Sequence, residues 1–547
     1  MQRLPDDRQR WRQRYTGTWL GICAVVGLIE LYIYVALARW PLFLYLGLMF
    51  LAVPIGYLAL RAAWHWMQTE WSQGTQAGSG QLVIGVSAER PQLPAYWHHR
   101  QREAPTLILG GTRLGKSSLQ ASLSGQDIRR GETVVVVDPH RDLALQLLPA
   151  CVEAGRDVVW FEPGDPDRVP AYNPLEVRDG WSPLSRAKML VDAMKRAWFP
   201  FSGEIPMRIT SSVSHAAHLL AANDYTLLEL PRLLLQENFR NSLAEQVRDA
   251  GLREWLGWFN SLTAHQRYEQ VTSSLIRLNQ LVHDPETALV LGQQHSTVSL
   301  TEAIEQNRVL LAALTAARLQ SAAYLLGSLL ATDLIYTLMR RLTRPFEERQ
   351  RVYVVFDEFD QIVPESARDF ISQAGKAGCS LTLIGQARGM IDPRLRDTVL
   401  ANCTNRIIFG ISGPEAMEIA QEIFEPDPRL VKQMTGDQRP IFYTPQEQWA
   451  FYAARLQALP PHSYLTVTPE GKEPRYMKLP SFQPAPAERL EAMRRAVLPR
   501  YTRPRQEAEE ELRRRRMELD RRFGPLAEDL PPAPGEEPVG PREHAPF

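Results

Sequence analysis

The sequence predicts an α/β fold, a mostly parallel sheet covered by helices on both faces, and three observations predict it. Short, near-continuous apolar runs recur along the chain at Thr106–Leu109 (TLIL), Thr133–Asp138 (TVVVVD), 157–161 (DVVWF), 308–314 (RVLLAAL), Val352–Phe356 (VYVVF), 380–385 (SLTLIG) and 405–410 (NRIIFG). Runs of this kind alternating with helical patterns suit strands buried on both faces. A glycine-containing loop, GGTRLGKS at 110–117, stands between the first run and a helix-forming stretch, KSSLQASLSGQDIRR. Between 183 and 300 the period changes, and apolar residues recur at helical spacing with few strand signals, which predicts an all-helical insertion.

The chain's 547 residues exceed what one compact core accommodates. Its 62 basic and 62 acidic residues give zero formal charge, so a globally basic nucleic-acid footprint is absent and any such contact has to be local. Cys23, Cys151, Cys379 and Cys403 are scattered, which is neither a zinc pattern nor a disulfide framework and suits a reducing compartment. His215 and His218 have helical spacing for a metal site but no acidic or cysteine partner nearby in the sequence.

Ahead of the sheet, residues 18–38 and 41–60 are apolar apart from Glu30. Each matches the roughly 20 residues that a helix needs to cross the hydrocarbon core. Arg3, Arg8, Arg10, Arg12 and Arg14 precede the first, which predicts a cytoplasmic amino terminus, and two spans return the chain to that side. Residues 1–73 are therefore expected to form a membrane anchor, followed by the linker GTQAGSG at 74–80, with the remainder cytoplasmic at the inner membrane.

The loop at 110–117 fits G-x-x-x-x-G-K-[ST]. Glycine lets successive backbone N–H groups turn inward around phosphate oxygens. Gly110, Gly111, Thr112, Arg113, Leu114, Gly115, Lys116, Ser117 and Ser118 are the expected phosphate cradle, with Lys116 on the terminal phosphates and the Ser117 hydroxyl on Mg²⁺. The strand Val352–Phe356 ends in Asp357, expected to hold the hydrated Mg²⁺, and Glu358, expected to polarise the attacking water. Gln386 ends another strand, where parallel sheets place ligand-contacting groups; a sensor of the terminal phosphate and a simple turn residue are both open there.

From about 484 the chain is charged and helix-prone, then proline-rich and expected to be disordered to 547. Its mixed charges read as a solvated helix, and Arg513 to Arg516 as a surface open to nucleic acid or acidic lipid.

Taken in order, these motifs resemble the HerA/FtsK superfamily of P-loop DNA-pumping ATPases, and within it the TraG/TraD-like coupling proteins of type IV secretion. The resemblance covers about 80–480 and rests on GGTRLGKS, VVVVDPHRDLA, AYNPLE, SLTEAIEQNRVLLAAL, VVFDEFDQIV and LTLIGQ. Arg141 stands where relatives carry glycine, and Lys376 where many carry a trans-acting arginine; the resemblance implies that Lys376 serves as a weaker finger or that Arg388 or Arg406 takes the role, Arg406 being preferred. The resemblance implies a RecA-like P-loop ATPase domain at 81–182 and 301–480, interrupted by the helical insertion at 183–300. It implies a homo-hexamer that uses ATP and Mg²⁺ to move DNA, single-stranded by preference, with a relaxase into a secretion channel. A double-stranded DNA pump and an ATPase energising protein secretion or pilus assembly are the alternatives.

Overall fold

The protein is described as a computed structural model over residues 81–88, 94–198, 207–245, 247–434, 439–469, 471–479 and 484–526. The expected membrane spans at 18–38 and 41–60 and the proline-rich end at 527–547 lie outside the described residues.

The strands are β1 (Gln81–Ser87), β2 (Pro94–His98), β3 (Thr106–Leu109), β4 (Thr133–Asp138), β5 (Val158–Phe161) and β6 (Arg168–Val169). They continue with β7 (Val309–Ala313), β8 (Val352–Phe356), β9 (Cys379–Gly385), β10 (Asn405–Ile408) and β11 (Val431–Met434). The last are β12 (Pro440–Phe442), β13 (Ser463–Thr468), β14 (Gly471–Lys478) and β15 (Arg503–Pro504). Eleven of them form one sheet in the order β2-β1-β14-β13-β10-β3-β9-β8-β4-β7-β5.

From β10 to β5 every pairing is parallel, and these seven strands are the seven apolar runs of the sequence. β4 shows why: all six of its residues are buried, with Val135 and Val137 in one apolar cluster and Val134 and Val136 in the other. Burial on both faces stabilises by roughly 1.5–3 kcal/mol per valine side chain, which a half-exposed strand forgoes on one face. Helices Lys116–Arg129 and Asp142–Glu153 cover one face through Leu119, Leu123, Leu143 and Leu147, while Ser321–Arg340 covers the other. The four antiparallel strands β13, β14, β1 and β2 extend the sheet beyond β10 and were not expected from the sequence.

Among the described residues, 183–300 contains helices and no strand, and it shares the larger apolar cluster with the sheet. Its helix Pro183–Trp198 packs on Ser321–Arg340. The segment Ser321–Thr343 is long and apolar enough to cross a membrane, yet 78% of its apolar window is buried, as in a core helix. The tail also docks. Helix Ala487–Val497 packs on Asp142–Glu153, and β15 pairs antiparallel with β6. Helix Arg505–Phe523 lies against the helical segment, with Ala508 and Leu519 buried and ion pairs from Arg505 to Glu286 and from Arg515 to Glu229. The sequence expectation of a solvated helix there gives way to a helix with one buried face.

Candidate active site

Because β3, β9, β8 and β4 are adjacent and parallel, the loops leaving their carboxyl ends meet at one edge of the sheet. That edge is where open parallel sheets place their ligands. After β3 the chain enters the glycine loop. Gly110 has φ 152, and an added Cβ there would stand 2.5 Å from the Phe409 Cβ. Gly115, at φ 108, caps helix Lys116–Arg129 and admits His462, whose Nδ1 would lie 2.8 Å from an added Cβ. Gly111 N–H donates to the Gly410 carbonyl at 2.9 Å and His462 N–H to the Leu114 carbonyl at 2.8 Å on the β10 side, and Gly110 N–H donates to the Gln386 carbonyl at 3.3 Å on the β9 side, so strands on both sides brace the loop.

Thr112 and Arg113 are exposed at the loop's tip, with Arg113 left-handed at φ 62. Leu114 is half-buried against the smaller apolar cluster, and Ser117 and Ser118 are half-buried in the first helical turn. The Lys116 ammonium donates to the carbonyls of Gly110 at 2.6 Å and Gly111 at 2.9 Å. Burial lowers its pKa, and the carboxylates of Asp357, Glu358 and Asp360 act in the opposite direction.

β8 delivers Asp357 and Glu358. Asp357 is buried, and desolvation, with the charges of Asp138 and Glu358, raises its pKa to about 7. A buried carboxyl so poorly compensated by protein cations suits a divalent metal ion, as does the Asp360 Oδ1, which is buried without a hydrogen-bond partner. Glu358 adopts φ 47, a left-handed backbone held at functional turns, and its carboxylate is half-buried. Three groups converge on it. His140 Nε2 lies 2.9 Å from one oxygen, Gln386 Nε2 donates to the other at 3.3 Å, and the Tyr324 hydroxyl also bonds to it.

His140 sits in the turn after β4, where Asp138 accepts the backbone N–H groups of His140 at 2.9 Å and Ala144 at 3.0 Å. Burial works against a charged His140 ring, but the charge and hydrogen bond of Glu358 prevail and raise its pKa. Asp138 itself is fully buried, and desolvation raises its pKa. The sequence places DPHRDL after a strand without assigning His140 or Tyr324 a role; the adjacency of β4 and β8, which the sequence does not state, is what brings His140 to Glu358.

The structure thus brings together Gly110 through Ser118, Asp357, Glu358 and Gln386. Arg406 stands apart. It pairs in register with Leu107, two residues short of the end of β3, and its guanidinium is engaged by Glu422 and by the Leu400 carbonyl at 2.8 Å. Arg388 contacts the same Glu422 at 2.8 Å, while Lys376 is exposed. Near His215 and His218, His215 stacks on Trp255 with centroids 5.1 Å apart.

Comparison of the sequence with family profiles and with curated proteins finds no match. Solved structures do match in shape. The bacterial conjugative coupling protein TrwBΔN70, in its unbound monoclinic form, aligns with a TM-score of 0.54 at 16% identity, over 76% of this chain and 92% of that one. TrwB in complex with the GTP analogue GDPNP aligns at 0.52 and 15%, over 75% and 92%. TrwB in complex with ADP and Mg²⁺ aligns at 0.51 and 15%, over the same shares. The chain shares the mixed α/β fold of the plasmid coupling protein TrwB.

Proposed function

We propose that this chain is a membrane-anchored ATPase that drives DNA translocation, the coupling protein of a type IV secretion or conjugation channel. The observation that carries the reading is the convergence of Lys116, Asp357 and Glu358 on one sheet edge, with Glu358 held by His140 and Gln386. ATP and Mg²⁺ are the substrate and cofactor; solved TrwB structures with ADP and Mg²⁺ share the fold.

In this reading the backbone N–H groups of 112–118 cradle the phosphates, those of Gly110 and Gly111 being held by the flanking strands, and Lys116 exchanges the carbonyls of Gly110 and Gly111 for phosphate oxygens. Ser117 and Asp357 hold the magnesium, which when bound neutralises charge on the phosphates. Glu358 orients the attacking water and takes its proton, and His140 and Gln386 fix the carboxylate's direction. Arg406 acts in trans on a neighbouring subunit's nucleotide once it leaves Glu422, because a planar guanidinium clamps phosphate better than an ammonium. Six subunits ring a pore, and DNA, single-stranded by preference, passes with its relaxase toward the channel. Residues 1–73 anchor the engine in the inner membrane, 81–182 with 301–480 form the motor, and 183–300 receives the cargo.

The experiment is removal of streptavidin from the end of a biotinylated single strand by the full chain in detergent. ATP-dependent removal, lost in Lys116→Ala, is expected. Hydrolysis of ATP without removal from single-stranded or duplex DNA contradicts translocation and moves the reading to protein export.

A further inference from the structure

A buried charged cluster joins the tail to the loop that carries His140. Arg141 follows His140 directly and adopts φ 74, a backbone that residues other than glycine rarely take. Its Nε lies 2.7 Å from Glu162 Oε1 and its Nη2 3.2 Å from Glu491 Oε2. Glu491 and Arg494 belong to the tail helix Ala487–Val497. Arg494 Nη1 donates to Glu162 Oε2 at 2.8 Å and Asp165 Oδ2 at 2.7 Å, and its Nη2 donates to Glu491 Oε1 at 2.6 Å. The side chains of Glu162, Asp165 and Arg494 are 4%, 3% and 10% exposed, so the centre of the cluster is shielded from water, with Arg141 and Glu491 half-buried at its rim. Buried charges tolerate this only while their partners stay in place, so the arrangement is stiff.

The path to the site is short. Glu491 contacts Arg141, Arg141 is peptide-bonded to His140, and His140 lies 2.9 Å from Glu358. The tail helix is also held by apolar contacts, since Met493 and Val497 pack against the smaller core cluster and Leu498, directly after the helix, belongs to it. The helix therefore stays docked without Glu491, and the contact to Arg141 adds something that docking alone does not need.

We propose that Arg141 and Glu491 are positioning residues for Glu358, through which the tail helix Ala487–Val497 fixes the loop from Asp138 to Asp142 and keeps His140 on the Glu358 carboxylate. The proposal rests on reading Glu358 as the group that activates water. Hydrolysis then depends on this tail contact.

The test compares the full chain with Glu491→Gln, Arg141→Gly and their double variant. Glycine takes φ 74 without strain, so Arg141→Gly removes the contact and keeps the turn. Each single variant is expected to lower kcat about tenfold, as a displaced catalytic group does. KM for ATP should move less than about twofold, because binding is not what is lost. The double variant should be no slower than Arg141→Gly alone, since Arg141→Gly already removes the contact to Glu491 together with that to Glu162, and Glu491→Asp should recover part of kcat. Amide exchange over 139–145 should quicken in both singles. Where the wild type hydrolyses ATP, unchanged kcat in the single variants, or additive losses in the double, overturns the proposal. If the wild type hydrolyses no ATP, the reading of Glu358 fails; unchanged exchange over 139–145 then overturns the tail contact as well.

Discussion

His140 Nε2 and Glu358 Oε2 lie 2.9 Å apart, joining the turns that follow the adjacent strands β4 and β8. The contact aims one carboxylate oxygen while Gln386 donates to the other at 3.3 Å. Glu358→Gln keeps the shape and removes the base. Its hydrolysis rate should fall by about 10²–10⁴ with nucleotide affinity retained, measured by steady-state turnover beside fluorescent-nucleotide binding. A parallel loss of binding would show that Glu358 shapes the pocket instead.

The same contact carries a pH signature. The folded His140 pKa is raised above its unfolded value of about 6.5. Stabilisation from the charged ring is therefore fully present below about pH 6.5 and is lost as pH rises through the folded value. Thermal unfolding of the nucleotide-free full chain against His140→Ala should show its widest gap near pH 5.5, closing toward pH 8.5 by this linkage. A gap that does not change with pH would mean the contact is made by a neutral ring.

Asp357 has the opposite sign. Its folded pKa, raised to about 7 by burial beside Asp138 and Glu358, means that the native state holds a proton that the unfolded state releases near pH 4. Stability then falls as pH rises from about 4 to 7 and levels above. Without metal at pH 8, Asp357→Asn should unfold at a higher temperature than wild type, and saturating Mg²⁺–nucleotide should reverse the order. A destabilised Asp357→Asn under metal-free conditions would contradict this electrostatic account.

Away from the site, Arg102 grips Asp127 through two bonds of 2.7 and 2.8 Å, both side chains buried, with the guanidinium 4.2 Å from the centroid of the Tyr353 ring. This ties the segment before β3 to helix Lys116–Arg129 and to β8. Asp127→Ala leaves a buried cation unpaired and should cost about 3–5 kcal/mol, read by denaturant unfolding. The double replacement Arg102→Met with Asp127→Leu should recover most of that loss.

The seven parallel strands and the glycine loop were readable because each announces itself locally: a strand buried on both faces is apolar throughout, and a phosphate loop needs glycine at fixed offsets. β1 and β13 were not, since their burial is mixed along the strand, and one partner of β1 arrives from a segment almost 400 residues away. The docking of Arg505–Phe523 escaped for a related reason. Its charges look solvated in sequence, but Arg505 and Arg515 find Glu286 and Glu229, more than 200 residues earlier. His140 escaped because its partner is set by strand order. The loop residues, Asp357, Glu358 and Gln386, singled out from sequence, lie together at one sheet edge, while Arg406, expected to act on a neighbouring subunit, is engaged by Glu422.

The most direct measurement is ATP hydrolysis by the full chain in detergent with no DNA, single-stranded DNA or duplex DNA, with Lys116→Ala as the blank. The account predicts hydrolysis raised by single strands, weakening steeply with salt as phosphate contacts are screened, and absent in Lys116→Ala. Stimulation by duplex alone would replace the substrate with double-stranded DNA. A rate that neither DNA raises at low salt would contradict the account.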